Sequence, residues 1–143
     1  MQKIEIMAPV GSFESLSAAI HAGCNSVYFG VEQLNMRARA AHNFTLEELK
    51  EVVAICKEKD VRSYLTMNTL LYQHDLTLMR RILDTAKEAE VSAAIVQDVA
   101  AIQYARSVGL SIHASTQLSI SNYEAVKFYA QFADTIVLAR EVD

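Results

Sequence analysis

The sequence is poor in the features that make for an easy assignment. Its two cysteines, Cys24 and Cys56, stand in no CxxC pair and no Cys/His spacing suited to a metal, and His42 and His74 lack metal-type spacing to each other. Zinc-ribbon and CxxC redox classes are therefore excluded. No basic-then-apolar leader opens the sequence, so a reducing, cytoplasmic location is expected. No apolar run approaches the roughly 20 residues of a membrane helix, which points to a soluble protein without membrane contact. Charge is nearly balanced: 13 Lys and Arg against 17 Asp and Glu, a formal net charge of -4, give no electrostatic reason for non-specific nucleic-acid binding. Linkers and low-complexity tracts are missing too, so the 143 residues, 52% of them apolar, read as a single globular domain.

What is present is an alternation of strand and helix patterns. Lys3 to Ala8 reads as a strand closed by Pro9-Val10-Gly11, and Ser12 can cap a helix carrying Phe13, Leu16, Ala19 and Ile20. Gly23 suits the position just past that helix, and Ser26 to Gly30 is a strand of β-branched and aromatic type. The loop from Val31 to Phe44 is long for a βα connection, a trait of functional loops. Thr45 and Glu48 have capping-box spacing ahead of Leu46, Leu49, Val52, Val53 and Cys56 at helical period. Val61 to Met67 is strand three, and Asp75 can cap a helix with Leu76, Met79, Ile82, Leu83 and Ala86 on one side. Ala93 to Gln97 is strand four, Asp98 a cap for Val99, Ile102, Ala105 and Val108, and Gly109 the stop. Strand five opens at Ser111. Ser121 and Glu124 repeat the capping-box spacing before Ala125, Val126, Tyr129 and Phe132, and Thr135 to Ala139 is strand six. Tyr28, Phe29, Tyr104, Phe128, Tyr129 and Phe132 read as packing residues.

Six strands alternating with five helices, the strands as continuous apolar runs, indicate an α/β fold with a parallel sheet covered on both faces. The handedness of βα crossovers then puts every βα loop at one edge. A complete eight-unit barrel takes about 200 residues or more, so the chain is either an open six-stranded sheet or part of a barrel. A partial barrel would leave two strand edges unpaired, and self-association is expected from them.

Each strand pattern stops at polar residues, where parallel sheets bind ligands: Asn68, then Gln97 and Asp98, then His113, Ser115, Thr116 and Gln117, then Arg140 and Glu141. In the long loop Arg37 and Arg39 are two residues apart, and guanidinium forks suit carboxylates and phosphates; local ion pairs with Glu32 or Glu5 are the plainer reading. His113 could act as acid, base or ligand, or be a structural histidine bonded to a carbonyl. Ser115 and Thr116 lie in no GxSxG elbow. Asp98 reads as an orienting group or as a helix cap, and Arg140 with Glu141 as a clamp or an ion pair. His21 sits in a last helical turn, where it complements the dipole.

Several segments, in order, carry a resemblance: MAPVGSFESLSAAIHAGCNSVYFG, QLNMRARAAHNF, YLTMNTLL, AAIVQD, IHASTQ with the SN that follows, and IVLARE. Together they resemble the amino-terminal half of the collagenase-like proteins of peptidase family U32. The resemblance implies a TIM-type barrel as parent fold, of which this chain holds about six strands and five helices. It implies a parent enzyme: family members are described as proteases of undefined catalytic type, while others support hydroxylation of transfer or ribosomal RNA, with prephenate implicated, or carry an iron-sulfur cluster and act in quinone ring hydroxylation. The cysteines of the family signature lie downstream, so no cofactor is expected within this chain, and a cluster would belong to the full-length protein. Carried over by matching motif, His113, Asp98 and Glu141 are the implied catalytic groups; Arg37, Arg39, Asn68, Gln97, Ser115, Gln117 and Arg140 are the implied substrate-binding groups. Three functions follow from this: a collagenase-like hydrolase acting on peptide; an RNA-hydroxylation factor whose arginines hold a small dicarboxylate; or a non-catalytic assembly piece, the 143 residues being inactive alone.

Overall fold

The computed structural model describes residues 4–32, 34 and 43–142. Six parallel strands, β1 (Met7–Pro9), β2 (Ser26–Gly30), β3 (Arg62–Met67), β4 (Ala93–Val96), β5 (Ile112–Ala114) and β6 (Thr135–Ile136), pair in simple sequential order. Between them run α1 (Phe13–His21), α2 (Leu46–Glu58), α3 (Leu76–Ala89), α4 (Val99–Ser107) and α5 (Tyr123–Tyr129). The order has no reversal, so right-handed crossovers lay the helices along one face only. This corrects the expectation of a sheet covered on both faces and gives a half-barrel.

The alternation of side chains along each strand follows from this arrangement. Val27, Phe29, Leu65, Met67, Ala94, Val96, Ile112 and Ala114 turn to the helices and are sealed against Leu49, Val52, Val53 and Cys56 of α2, Met79, Ile82, Leu83 and Ala86 of α3, and Ala101 and Ala105 of α4. Each large side chain in this layer contributes about 1.5–3 kcal/mol by leaving water. The other parity is in register across the open face: Tyr28 with Tyr64, Thr66 with Ile95, Ile95 with His113, and His113 with Thr135.

Local chemistry sets most boundaries as the sequence suggests. Ser12 and Ser15 exchange capping hydrogen bonds (3.1 and 3.0 Å), and so do Thr45 and Glu48 (3.2 and 2.9 Å). Gly23 and Gly109 follow their helices with φ of +90° and +76°, a region costly for any side chain. The long loop has both feet pinned at the end of β2, where the Phe44 amide donates to the Gly30 carbonyl (3.1 Å) and the Glu32 amide to the Phe44 carbonyl (3.0 Å). The Phe44 ring packs edge-on against Phe13 and Phe29, fixing the return foot in the core.

Elsewhere the structure departs from the sequence reading. β1 covers Met7–Pro9 rather than Lys3 to Ala8; Lys3 lies outside the described residues, and Ile6 is held by the turn residue Asn25, whose Oδ1 accepts its amide proton (2.8 Å). β6 ends at Ile136 rather than Ala139 because the chain swings away: the Val137 amide donates to Ala114, but that of Ala139 donates to Ile120. α5 is capped by Asn122, not Ser121, its Oδ1 accepting from the Ala125 amide (2.9 Å). The start shifted by one residue removes Glu124 from the capping-box position. Asp75 holds the N-cap position of α3, but its side chain makes no capping bond there; it ends a 3₁₀ turn, Gln73–Asp75, and takes the Tyr72 amide proton instead (2.8 Å), so the helical path begins a turn early. Phe128, expected to pack inside, is 54% exposed in a surface cluster with Tyr129 and Phe132. Val99, expected on the buried side, is 65% exposed, since the first residue of α4 stands above the sheet edge.

Among the described residues no helix is long and apolar enough to cross a membrane. Cys56 is fully buried, and that burial, reinforced by the nearby Cys24, pushes its thiol up to about 11. In a native-state thiol titration at pH 8, Cys56 is expected to stay unreactive until denaturant is added. Urea denaturation should separate the two candidate caps of α5: Asn122→Ala is expected to cost about 1 kcal/mol and Ser121→Ala close to nothing.

Candidate ligand site at the carboxyl edge of the sheet

Four neighbouring strands deliver polar residues to one edge. Asn68 follows β3, Gln97 and Asp98 follow β4, Ser115 and Gln117 follow β5, and Arg140 and Glu141 come after β6. Asn68, Gln97 and Asp98 are half-buried, whereas Gln117, Arg140 and Glu141 are exposed. The loop that carries Arg37 and Arg39 leaves and rejoins the same edge at β2. Both arginines lie outside the described residues. Of the carboxylates near them in the sequence reading, Glu5 binds the guanidinium of Arg62 (2.6 Å), and Glu32 accepts the Leu46 amide proton at the start of α2 (2.9 Å).

Asp98 serves two elements at once. Its Oδ1 accepts from the Ala100 amide (2.8 Å), capping α4, and its Oδ2 accepts from the Leu71 amide (3.0 Å), tying down the loop between β3 and α3. A carboxylate held by two backbone donors is a structural anchor first. Ser115 is similarly committed: it is buried, its Oγ takes the Gln117 amide proton (3.1 Å), and its own amide donates to Val96 (2.9 Å). That contact stitches the end of β5 to the end of β4, so the polar residues of the two strands share a rim.

His113 lies within β5, on the face turned away from the helices, half-buried, with its ring 4.8 Å from that of Tyr64 and tilted by 43°. Burial lowers its pKa below the ordinary imidazole value, against the opposing pull of the Asp134 and Glu5 carboxylates. The imidazole is therefore neutral near pH 7 and able to accept a proton. Tyr64 continues the chain of contacts away from the carboxyl edge: its hydroxyl donates to the Glu5 carboxylate (3.2 Å to either oxygen), which also holds Arg62. Burial raises the phenol's pKa, so Tyr64 remains a donor.

The sequence reading does not single out Tyr64, and it names Glu5 only as an ion-pair partner for the loop arginines. The signal that could have found Tyr64 is its parity, since Arg62, Tyr64 and Thr66 alternate onto the same face as His113. Among the described residues no group of three His, Cys, Asp or Glu side chains is gathered tightly enough to hold a metal ion.

The lowered His113 value has a sign that can be checked. The unfolded state binds the proton more readily, so stability is intact above about pH 6.5 and falls as pH drops from there through the folded-state value. Urea midpoints measured between pH 7.5 and 5 should show this slope in the native protein and a shallower one in His113→Gln.

Comparison with known proteins gives this geometry a family. The sequence model described as peptidase family U32 matches residues 11–143. A collagenase of Porphyromonas gingivalis is 59% identical over 139 residues, covering 97% of this chain and 34% of that protein. The tRNA hydroxylation protein P1 of Bacillus subtilis is 35% identical across 98% of this chain and 34% of its own length. The 23S rRNA 5-hydroxycytidine C2501 synthase of Escherichia coli is 29% identical across 99% of this chain and 21% of its own. The chain thus spans about a third or less of these relatives. Among solved structures, the U32 peptidase Mk0906 superposes with a TM-score of 0.74 at 16% identity, covering 96% of this chain and 61% of that one. Deoxyribose phosphate aldolase from Aeropyrum pernix follows at 0.65 and 14%, covering 93% and 63%, a likeness of fold alone. With the family match running from the first helix to the last residue, the chain belongs to peptidase family U32.

Proposed function

We propose that this chain forms the ligand-holding rim of a protein that hydroxylates RNA, with a small dicarboxylate bound beside the RNA at the carboxyl edge of the half-barrel. The observation that carries this reading is the state of the rim. Ser115 is buried and bonded, and both Asp98 oxygens are taken by backbone amides, so among the described residues neither is left free to serve as a nucleophile or its base. Such a rim suits recognition of a charged metabolite and a base better than it suits peptide cleavage. In this reading Arg37, Arg39 and Arg140 hold the carboxylates, Asn68, Gln97 and Gln117 orient the ligand, neutral His113 accepts a proton, and Glu141 faces the substrate. Relatives named for tRNA and rRNA hydroxylation, each aligned over nearly all of this chain, support the same direction.

A second reading, a collagenase-like hydrolase, is favoured by the 59% identity to the protein named collagenase. Thermal unfolding of the full-length protein separates the two. Under the first reading millimolar prephenate, the dicarboxylate probe, stabilises the protein, by about 2.7 kcal/mol at 100 times Kd. The effect should vanish in Arg37→Ala/Arg39→Ala, and gelatin should remain uncut. Gelatin turnover lost in His113→Ala, with no prephenate effect, would establish the second reading instead.

A further inference from the structure

The loop between β3 and α3 rises from the same edge and carries side chains that no part of the proposed rim uses. Leu70 and Tyr72 are 66% and 68% exposed, and the His74 side chain is 82% exposed. The Tyr72 and His74 rings lie parallel, with planes 2° apart and centroids 6.0 Å apart. An exposed leucine alone would call for no explanation, since much of any protein surface is apolar. Here two flat rings are stacked in the open on the loop that also exposes a leucine, and that loop's backbone is fastened rather than slack.

The fastening is specific. The Leu71 amide donates to Asp98 Oδ2 (3.0 Å) and the Tyr72 amide to Asp75 Oδ2 (2.8 Å), while the Asp75 amide returns to the Tyr72 carbonyl (2.9 Å). The imidazole of His74 lies 3.4 Å from the other Asp75 oxygen. Asp75 therefore fixes the backbone at Tyr72 and lies beside the His74 ring, and Asp98 ties their loop to the strand end where Gln97 sits. A platform ordered in advance loses little side-chain freedom when something settles on it.

We infer that Tyr72 and His74, with Leu70 at their side, form a stacking platform for an unpaired base of the RNA presented to the adjacent rim. This rests on the RNA reading above and names how the substrate is held. Aromatic and imidazole faces take unpaired bases by stacking, and the interaction tolerates any base because each has a π face.

The test uses the full-length protein and an RNA stem-loop with 2-aminopurine at an unpaired position. Wild type should bind with a change in 2-aminopurine fluorescence. Tyr72→Ala/His74→Ala should bind about five- to 150-fold more weakly and lose the fluorescence change, while Tyr72→Phe keeps both. The prephenate effect on unfolding should be the same in all three proteins. Equal RNA affinity and an unchanged fluorescence response in the double variant would overturn the platform and leave the RNA reading intact. Absence of RNA binding by wild type would overturn both. Association of wild type with itself that Tyr72→Ala/His74→Ala disperses, without any RNA binding, would reassign the patch to a protein partner.

Discussion

Parity along the parallel ladder governs everything else in this half-barrel. One set of alternating side chains, from Val27 and Phe29 through Leu65 and Met67 to Val96 and Ala114, is pressed against the helices without a gap. Because a strand offers only two faces, every residue of the other set is committed to the open side. Tyr28, Tyr64, Thr66, Ile95 and His113 are there because their neighbours are sealed. A slip of one residue in any pairing would exchange the two sets, sending tyrosines and a histidine into the helix layer and valines into the open.

The edge above this ladder is organised by hydrogen bonds to backbone rather than by pairs of charges. Asp98 alone joins the start of α4 to the loop after β3, and Ser115 joins β5 to β4. Amide protons thus occupy groups that a sequence reading would assign to chemistry. The rigid strand ends below them and the loops they tie down form the kind of support on which a binding site can be positioned to fractions of an ångström.

Much of this was legible in the residues. Thr45 with Glu48, Ser12, and the glycines at 23 and 109 act within a few positions of themselves, so local chemistry decides them and the sequence displays it. Asn122 and Ser121 are both good caps, and a local rule cannot choose between two such neighbours. Asp75 was misread for a related reason: a 3₁₀ turn upstream had already begun the helical path. The covering of the sheet was the larger misreading. Continuous apolar strands arise whenever both parities avoid water, and the second parity of a barrel faces an interior lined with Tyr64, Ala93 and Ile95 rather than another layer of helices. Parity also hid the surroundings of His113, whose contact with Tyr64 spans 49 positions and depends on register across β4.

The mooring of the first strand has a further consequence. β1 is three residues long, ends in a proline that donates no hydrogen bond, and has β2 as its partner in the sheet order. The chain ahead of it is held by the Asn25 and Ser26 amides, which donate to the Ile6 carbonyl (2.8 and 3.1 Å), by the side chain of Asn25, and by the carboxylate of Glu5, gripped by Arg62 and Tyr64. The leading margin of the sheet is thus buttoned to β3 by side chains over a distance of two strands. One carboxylate thereby reaches past a whole strand, so the position of the first strand is set by side chains of the third as well as by its own pairing.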